Sequence, residues 1–223
     1  MTRDAYIQAL RALEEEFQLL GRMVGAAIRR AVESLKNRDL AAAREVVRND
    51  LEINRKRFEI EERCFDLIAT QQPAAVDLRT IGSILIMSTD LERMGDHAEG
   101  IARITLLLEG KPLVKPLIDI PRMAEKVLSM LERTLDAFAA RDAENARAIC
   151  GEDDEIDALH NQVYRELLLL MIGSPHIIEG ATYLLWVSHN LERIADRATN
   201  LAERAVFVVT GRMEELNVSK YRP

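Results

Sequence analysis

The chain has 223 residues, 48% of them hydrophobic and only 4% aromatic, with a formal net charge of -7. That length suits one large domain or two small ones. The acidic balance argues against a nucleic-acid partner, because no basic stretch is present to neutralise a phosphate backbone and few rings are available to stack on bases.

The opening "MTRDAYIQALRALEEEF" puts charges where a secretory signal needs an unbroken apolar run, and it starts a helical pattern predicted over 4–36. "NRD" stops that helix, and Asp39 caps a second one predicted over 39–69. "TQQPAAVD" breaks the pattern, and Pro73 opens a third helix that runs to 108. "EGKPLVKPLIDIP" then carries three prolines within ten residues and reads as a linker. The second half repeats the plan, with a helix over 121–140, a break where Asp142 caps a single helix to 171, a turn at "GSP", and a last helix over 175–209. The uncharged runs 167–178 and 180–191 are too short to cross a bilayer, which takes roughly 18 or more apolar residues, so the protein is expected in the cytoplasm. Cys64 and Cys150 fall inside helical patterns and form no CxxC, the signature of buried free thiols in a reducing compartment.

Two phrases show that the halves are copies. "DLERMGDHAEGIAR" over 90–103 returns as "NLERIADRATNLAE" over 190–203, and "AREVVRNDLEIN" over 43–54 resembles "ARAICGEDDEID" over 146–157. The predicted fold is therefore all-α, two tandem antiparallel three-helix bundles related by an internal repeat, each closing its own core. The expected units are 1–110, a linker 111–118, a second unit 119–212, and a tail 213–223.

In the last helix of each half an apolar stripe faces the core: Ile84, Met87, Leu91, Met94, Ala98 and Ile101 in one, Leu184, Val187, Leu191, Ile194, Ala198 and Leu201 in the other. At about 100° per residue, Glu92, Asp96 and Glu99 share a different face, and the second copy offers Glu192, Asp196 and Asn200 there. A lone acidic i, i+4 pair is usually a wet helix surface. Here it recurs, and the middle helices add Asp50/Asn54 and Asp153/Asp157 at the same spacing. Arg93 and Arg193 are expected to point elsewhere. Carboxylates brought together either raise their pKa values or hold a cation, and oxygen donors suit hard ions such as magnesium, calcium, manganese or ferric iron. His97 is matched by Arg197 and so lies outside any symmetric shell. His160 makes a lone DxxH, whereas ferritin-like oxidases need a Glu-x-x-His on each of two helices. No phosphate-binding GxxxxGK[ST] loop and no GxSxG elbow is present.

The doubled "DLERMGDHAEGIA" and "NLERIADRATNLAE", each preceded by an Asp-x-x-x-Asn/Asp on the previous helix, resembles the PhoU proteins over nearly the whole chain. That resemblance implies multinuclear metal clusters, iron or zinc, on the bundle surface, with dimerisation in many members. It also implies a regulatory role linking a phosphate ABC transporter ATPase to a sensor histidine kinase, reaching the membrane only through those partners. Carried onto this chain, the family pattern marks Asp50, Glu92 and Asp96 in the first half and Asp153, Asp157, Glu192 and Asp196 in the second. Glu99 and Asn200 are weaker additions. Two readings stand beside it: a metal-dependent phosphohydrolase, and a structural helical protein whose acidic faces are simply wet.

Overall fold

The computed structural model describes residues 2–216; the last seven positions of the expected tail, 217–223, lie outside the described residues. Seven α-helices and one short 3-10 turn account for the regular structure described: α1 Arg3–Asn37, α2 Leu40–Gln71, α3 Ala75–Leu107, α4 Asp119–Ala140, α5 Ala143–Cys150, α6 Asp153–Gly173, the turn Pro175–Ile177, and α7 Ile178–Thr210.

Local chemistry sets the corners. At the α1–α2 and α4–α5 junctions the sequence is Arg-Asp, and both arginines, Arg38 and Arg141, take the left-handed conformation with φ of 55° and 56°. The reversed chain lets the Asp39 amide donate to the Ser34 carbonyl at 2.8 Å and the Asp142 amide donate to Ala137 at 2.9 Å, which satisfies carbonyls at the helix end. Each aspartate then caps the next helix, Asp39 Oδ1 accepting from the Ala42 amide at 2.9 Å and Asp142 Oδ1 from the Asn145 amide at 3.0 Å. One short signal thus makes both turns.

The apolar stripes of α3 and α7 are buried along their length. Two expectations are corrected. First, the helix anticipated from Asp142 to 171 is split, because Gly151 and Glu152 close a turn on Ala148 and Ile149 and α6 restarts at Asp153. Second, the bundles do not close separate cores. α1, α2 and α3 form one bundle and α4 to α7 the other, yet α1 packs on α4 and α3 on α7, and a single hydrophobic cluster runs through both. Phe17 meets Phe138 edge-on at 5.2 Å between ring centroids, and the lack of a Cβ at Gly21 leaves room for Leu135.

Two polar pairs at matching positions of the repeat cross the α3–α7 seam, beside an Arg79 Nε that donates to the Val208 carbonyl at 3.3 Å. Arg197 Nη1 donates to Asp90 Oδ1 at 2.9 Å, and His97 Nδ1 pairs with Asn190 Oδ1 at 2.9 Å. Positions 90 and 190 correspond in the repeat, as do 97 and 197, so the pairs are reciprocal. Gly100 permits the approach, since a Cβ there would lie 3.3 Å from Asn190 Oδ1.

Candidate functional site

In the first half, α2 crosses α3 at Gly95, where an added Cβ would stand 3.2 Å from Ile53 and 3.6 Å from Asp50 Oδ1. This close approach carries Asp50 among the acids of α3. Its Oδ1 is buried without a hydrogen-bond partner, while Oδ2 accepts from Asn54 Nδ2 at 3.0 Å. Burial, followed by the charges of Glu99, Asp96 and Glu92, pushes the Asp50 carboxyl up to about 6. Glu92 is raised as well, by burial and then by Asp96. Glu99 accepts from Arg103 at 2.6 Å.

In the second half, Asp157 is raised by burial and then by Glu192, and Asp196 is raised by the same two causes in the same order. Asp153, at the start of α6, is buried. Thr199, the counterpart of Glu99, is buried with its hydroxyl on the Ala195 carbonyl, and Asn200 stands exposed in a hollow with Arg193, Asp196, Arg197 and Glu203. The weaker additions therefore occupy different settings in the two halves.

Arg93 and Arg193 do not point elsewhere. Arg93 Nη1 lies 3.1 Å from Asp96 Oδ2 and its Nε lies 3.6 Å from Glu92 Oε2, while Arg193 donates to Glu192 Oε2 at 2.7 Å and reaches Asp196 Oδ2 at 3.1 Å. The closer contact explains an asymmetry: burial of Glu192 is outweighed by Arg193, His189 and His160, and its carboxyl is lowered where that of Glu92 is raised. His189 escaped the sequence reading. It sits three residues before Glu192, with Nδ1 3.4 Å from Glu192 Oε2, and its ring lies 6.1 Å from that of His160. The i, i+3 spacing of "HNLE" was the available signal. Arg197, which replaces the histidine of the first copy, is committed to Asp90 across the seam.

Among the described residues no three His, Cys, Asp or Glu side chains form a ready-made coordination shell. The donor chemistry nonetheless fits a hard cation: an orphaned buried carboxylate oxygen at Asp50, and acids in each half that raise one another's proton affinity. Asp50, Glu92 and Asp96 would hold it in the first half and Asp157, Glu192 and Asp196 in the second, with Arg93 and Arg193 swung aside. Both cysteines are free and buried, and burial pushes each thiol up to about 12, which removes them as thiolate ligands. No described helix is long and apolar enough to cross a membrane.

The geometry has relatives. The PhoU domain family matches residues 17–105 and again 120–205. A "Phosphate-specific transport system accessory protein PhoU homolog" of Clostridium acetobutylicum is 36% identical over 97% of this chain and 100% of its own. One of the same description from Caulobacter vibrioides is 38% identical over 96% and 93%. Among solved structures, the phosphate transport system regulatory protein PhoU from Streptococcus pneumoniae superposes with a TM-score of 0.88 at 33% identity, covering 94% of this chain and 99% of that one. PhoU from Pseudomonas aeruginosa gives 0.88 at 32% identity over 95% and 100%. With the domain matched twice, full-length relatives above 30% identity and the same backbone, the chain belongs to the PhoU family.

Proposed function

We propose that this protein is a non-enzymatic accessory regulator of phosphate transport in the cytoplasm. It acts as a homodimeric, metal-binding adaptor between a phosphate ABC transporter ATPase and a sensor histidine kinase, restraining uptake and the starvation response when phosphate is plentiful. The observation that carries this reading is full-length similarity to accessory proteins of phosphate transport, with both PhoU domains matched in order. Its two units, 1–110 and 119–212, each present one acidic face, and iron or zinc is the expected occupant of a multinuclear cluster there. Bound cations supply fixed positive charge on otherwise acidic surfaces, and Asp50, Asn54, Glu92, Asp96 and Glu99, with Asp153, Asp157, Glu192, Asp196 and Asn200, are the residues proposed to hold them. The half-burial of Asp50 and Asp196 supports that placement, since a buried carboxylate gains most from a cation.

The test joins metal content to physiology. In the native host, deletion is expected to raise phosphate uptake under phosphate-replete conditions, and the wild-type gene to reverse it. The Glu192→Ala/Asp196→Ala variant is expected to keep its helical circular dichroism, lose bound metal by elemental analysis, and fail to restore control. Uptake that is indifferent to deletion would refute the regulatory role; metal content unchanged in the variant would refute the second centre.

A further inference from the structure

On α2 the face turned away from the core carries an apolar stripe. Leu51, Phe58 and Phe65 follow one another at intervals of seven residues and are 72%, 55% and 59% exposed. α2 packs against α1 and α3 on its other sides, and neither covers this one. A repeat of seven is the spacing of a helix that packs lengthwise against another helix, and large apolar side chains exposed in a row mark an interaction surface. The Arg57 guanidinium lies 4.7 Å from the Phe58 ring centroid and holds that ring in place. Around the stripe stand Arg48, Glu62 and Asp66, all exposed and, among the described residues, without an ion-pair partner.

The stripe matches itself when a second α2 is laid along it in the opposite direction. Leu51 then faces Phe65 of the other helix, and Phe58 faces its own copy. At about 100° per residue, Arg48 and Asp66 both lie about 60° round α2 from Leu51, on the same flank. A two-fold axis perpendicular to the helices sets that flank against itself, so Arg48 at one end of the stripe meets Asp66 of the second copy. Arg55, which here reaches Glu52 and Glu59, comes level with Glu62 of the second copy. The midpoints of Leu51 and Phe65, of Arg48 and Asp66, and of Arg55 and Glu62 all fall within one residue of position 58, so one axis serves all three pairs. An unrelated helix would require no such symmetry. The second repeat does not keep the stripe, since Arg48, Leu51, Phe58 and Asp66 are replaced there by Gly151, Asp154, Asn161 and Leu169.

We infer that the exposed face of α2 is the surface on which two copies of this chain pair, antiparallel and isologous about Phe58, with Leu51, Phe58 and Phe65 at the apolar centre and Arg48 on Asp66 at both ends. This surface gives a place to the homodimer of the proposed function and rests on that part of it alone. Assembly is measured apart from uptake, so a protein that failed the uptake test would still be held to this one.

Sedimentation velocity of the full-length protein is expected to show a dimer that dissociates on dilution, and Phe58→Lys to give a monomer of unchanged helical circular dichroism, since the ring it replaces is exposed. Arg48→Asp and Asp66→Arg each set like charges against one another and are expected to weaken the dimer about tenfold, while the double variant, which only reverses the pair, restores it. Phe58→Cys brings two thiols together at the axis and is expected to yield a covalent dimer with a short bis-maleimide. Asn161→Cys, at the matching position of the second repeat, is expected to yield none, and the buried Cys64 and Cys150 stay silent. A wild type that remains monomeric would overturn the assignment and leave the stripe to a different protein. A dimer indifferent to Phe58→Lys, equal cross-linking of Phe58→Cys and Asn161→Cys, or a double variant as weak as the single ones would overturn it as well.

Discussion

Asp50 keeps its proton to about pH 6 in the folded chain, against an ordinary value of 3.8, because burial and then three neighbouring carboxylates disfavour the anion. Between these values the folded form binds a proton that the unfolded form has released, so this residue stabilises the metal-free fold as pH falls through 6, and the gain is complete below about 4. Asp50→Asn is therefore expected to raise the stability of chelator-treated protein at pH 7 by about 1 kcal/mol, after allowing for solvent screening, and to give no advantage at pH 4. Urea melts of both forms at the two pH values check it. Arg193 provides a second case. It lies across Glu192 and Asp196, so Arg193→Ala is expected to tighten Mn2+ binding at the second acidic face by up to about fivefold, read by calorimetry. At this scale the acidic faces were legible, because a helical angle follows from residue spacing. The arginines were not, since a long flexible side chain can reach a neighbouring face that its Cβ does not address.

The helices themselves were largely legible: the stripe from Ile84 to Ile101 is apolar every three or four residues, and the Arg-Asp corners carry their own turn chemistry. The division of α5 from α6 was missed because Ile149 and Ile156 keep the apolar period across Gly151, so the pattern runs straight through the break. Between elements, the α3–α7 seam turns on charge. Asp90 has a side chain only 12% exposed and depends on Arg197. Arg197→Ala strands that carboxylate and is expected to cost about 2 kcal/mol, below the range for fully buried pairs because the guanidinium is partly wet. The double change Asp90→Asn/Arg197→His copies the pair already present at Asn190 and His97 and is expected to recover most of the loss. Thermal melts of the single and double variants decide it.

For the whole molecule, the continuous core makes the two repeats one cooperative unit. Calorimetry is expected to show a single transition with matching calorimetric and van't Hoff enthalpies, and separately expressed halves to lack stable tertiary structure. Two resolved transitions would show that the seam contributes little. The repeat was visible in sequence, but the docking of its copies was not: an apolar stripe announces burial without naming the surface that buries it. The seam also speaks of descent. Position 90 of one copy meets 197 of the other, and 190 meets 97, the rule obeyed by two identical subunits around a two-fold axis. Gene fusion of an ancestral homodimer leaves this signature, and it frees each partner to drift: one contact is now an ion pair, its mirror image a neutral bond, a divergence that no pair of identical chains could sustain.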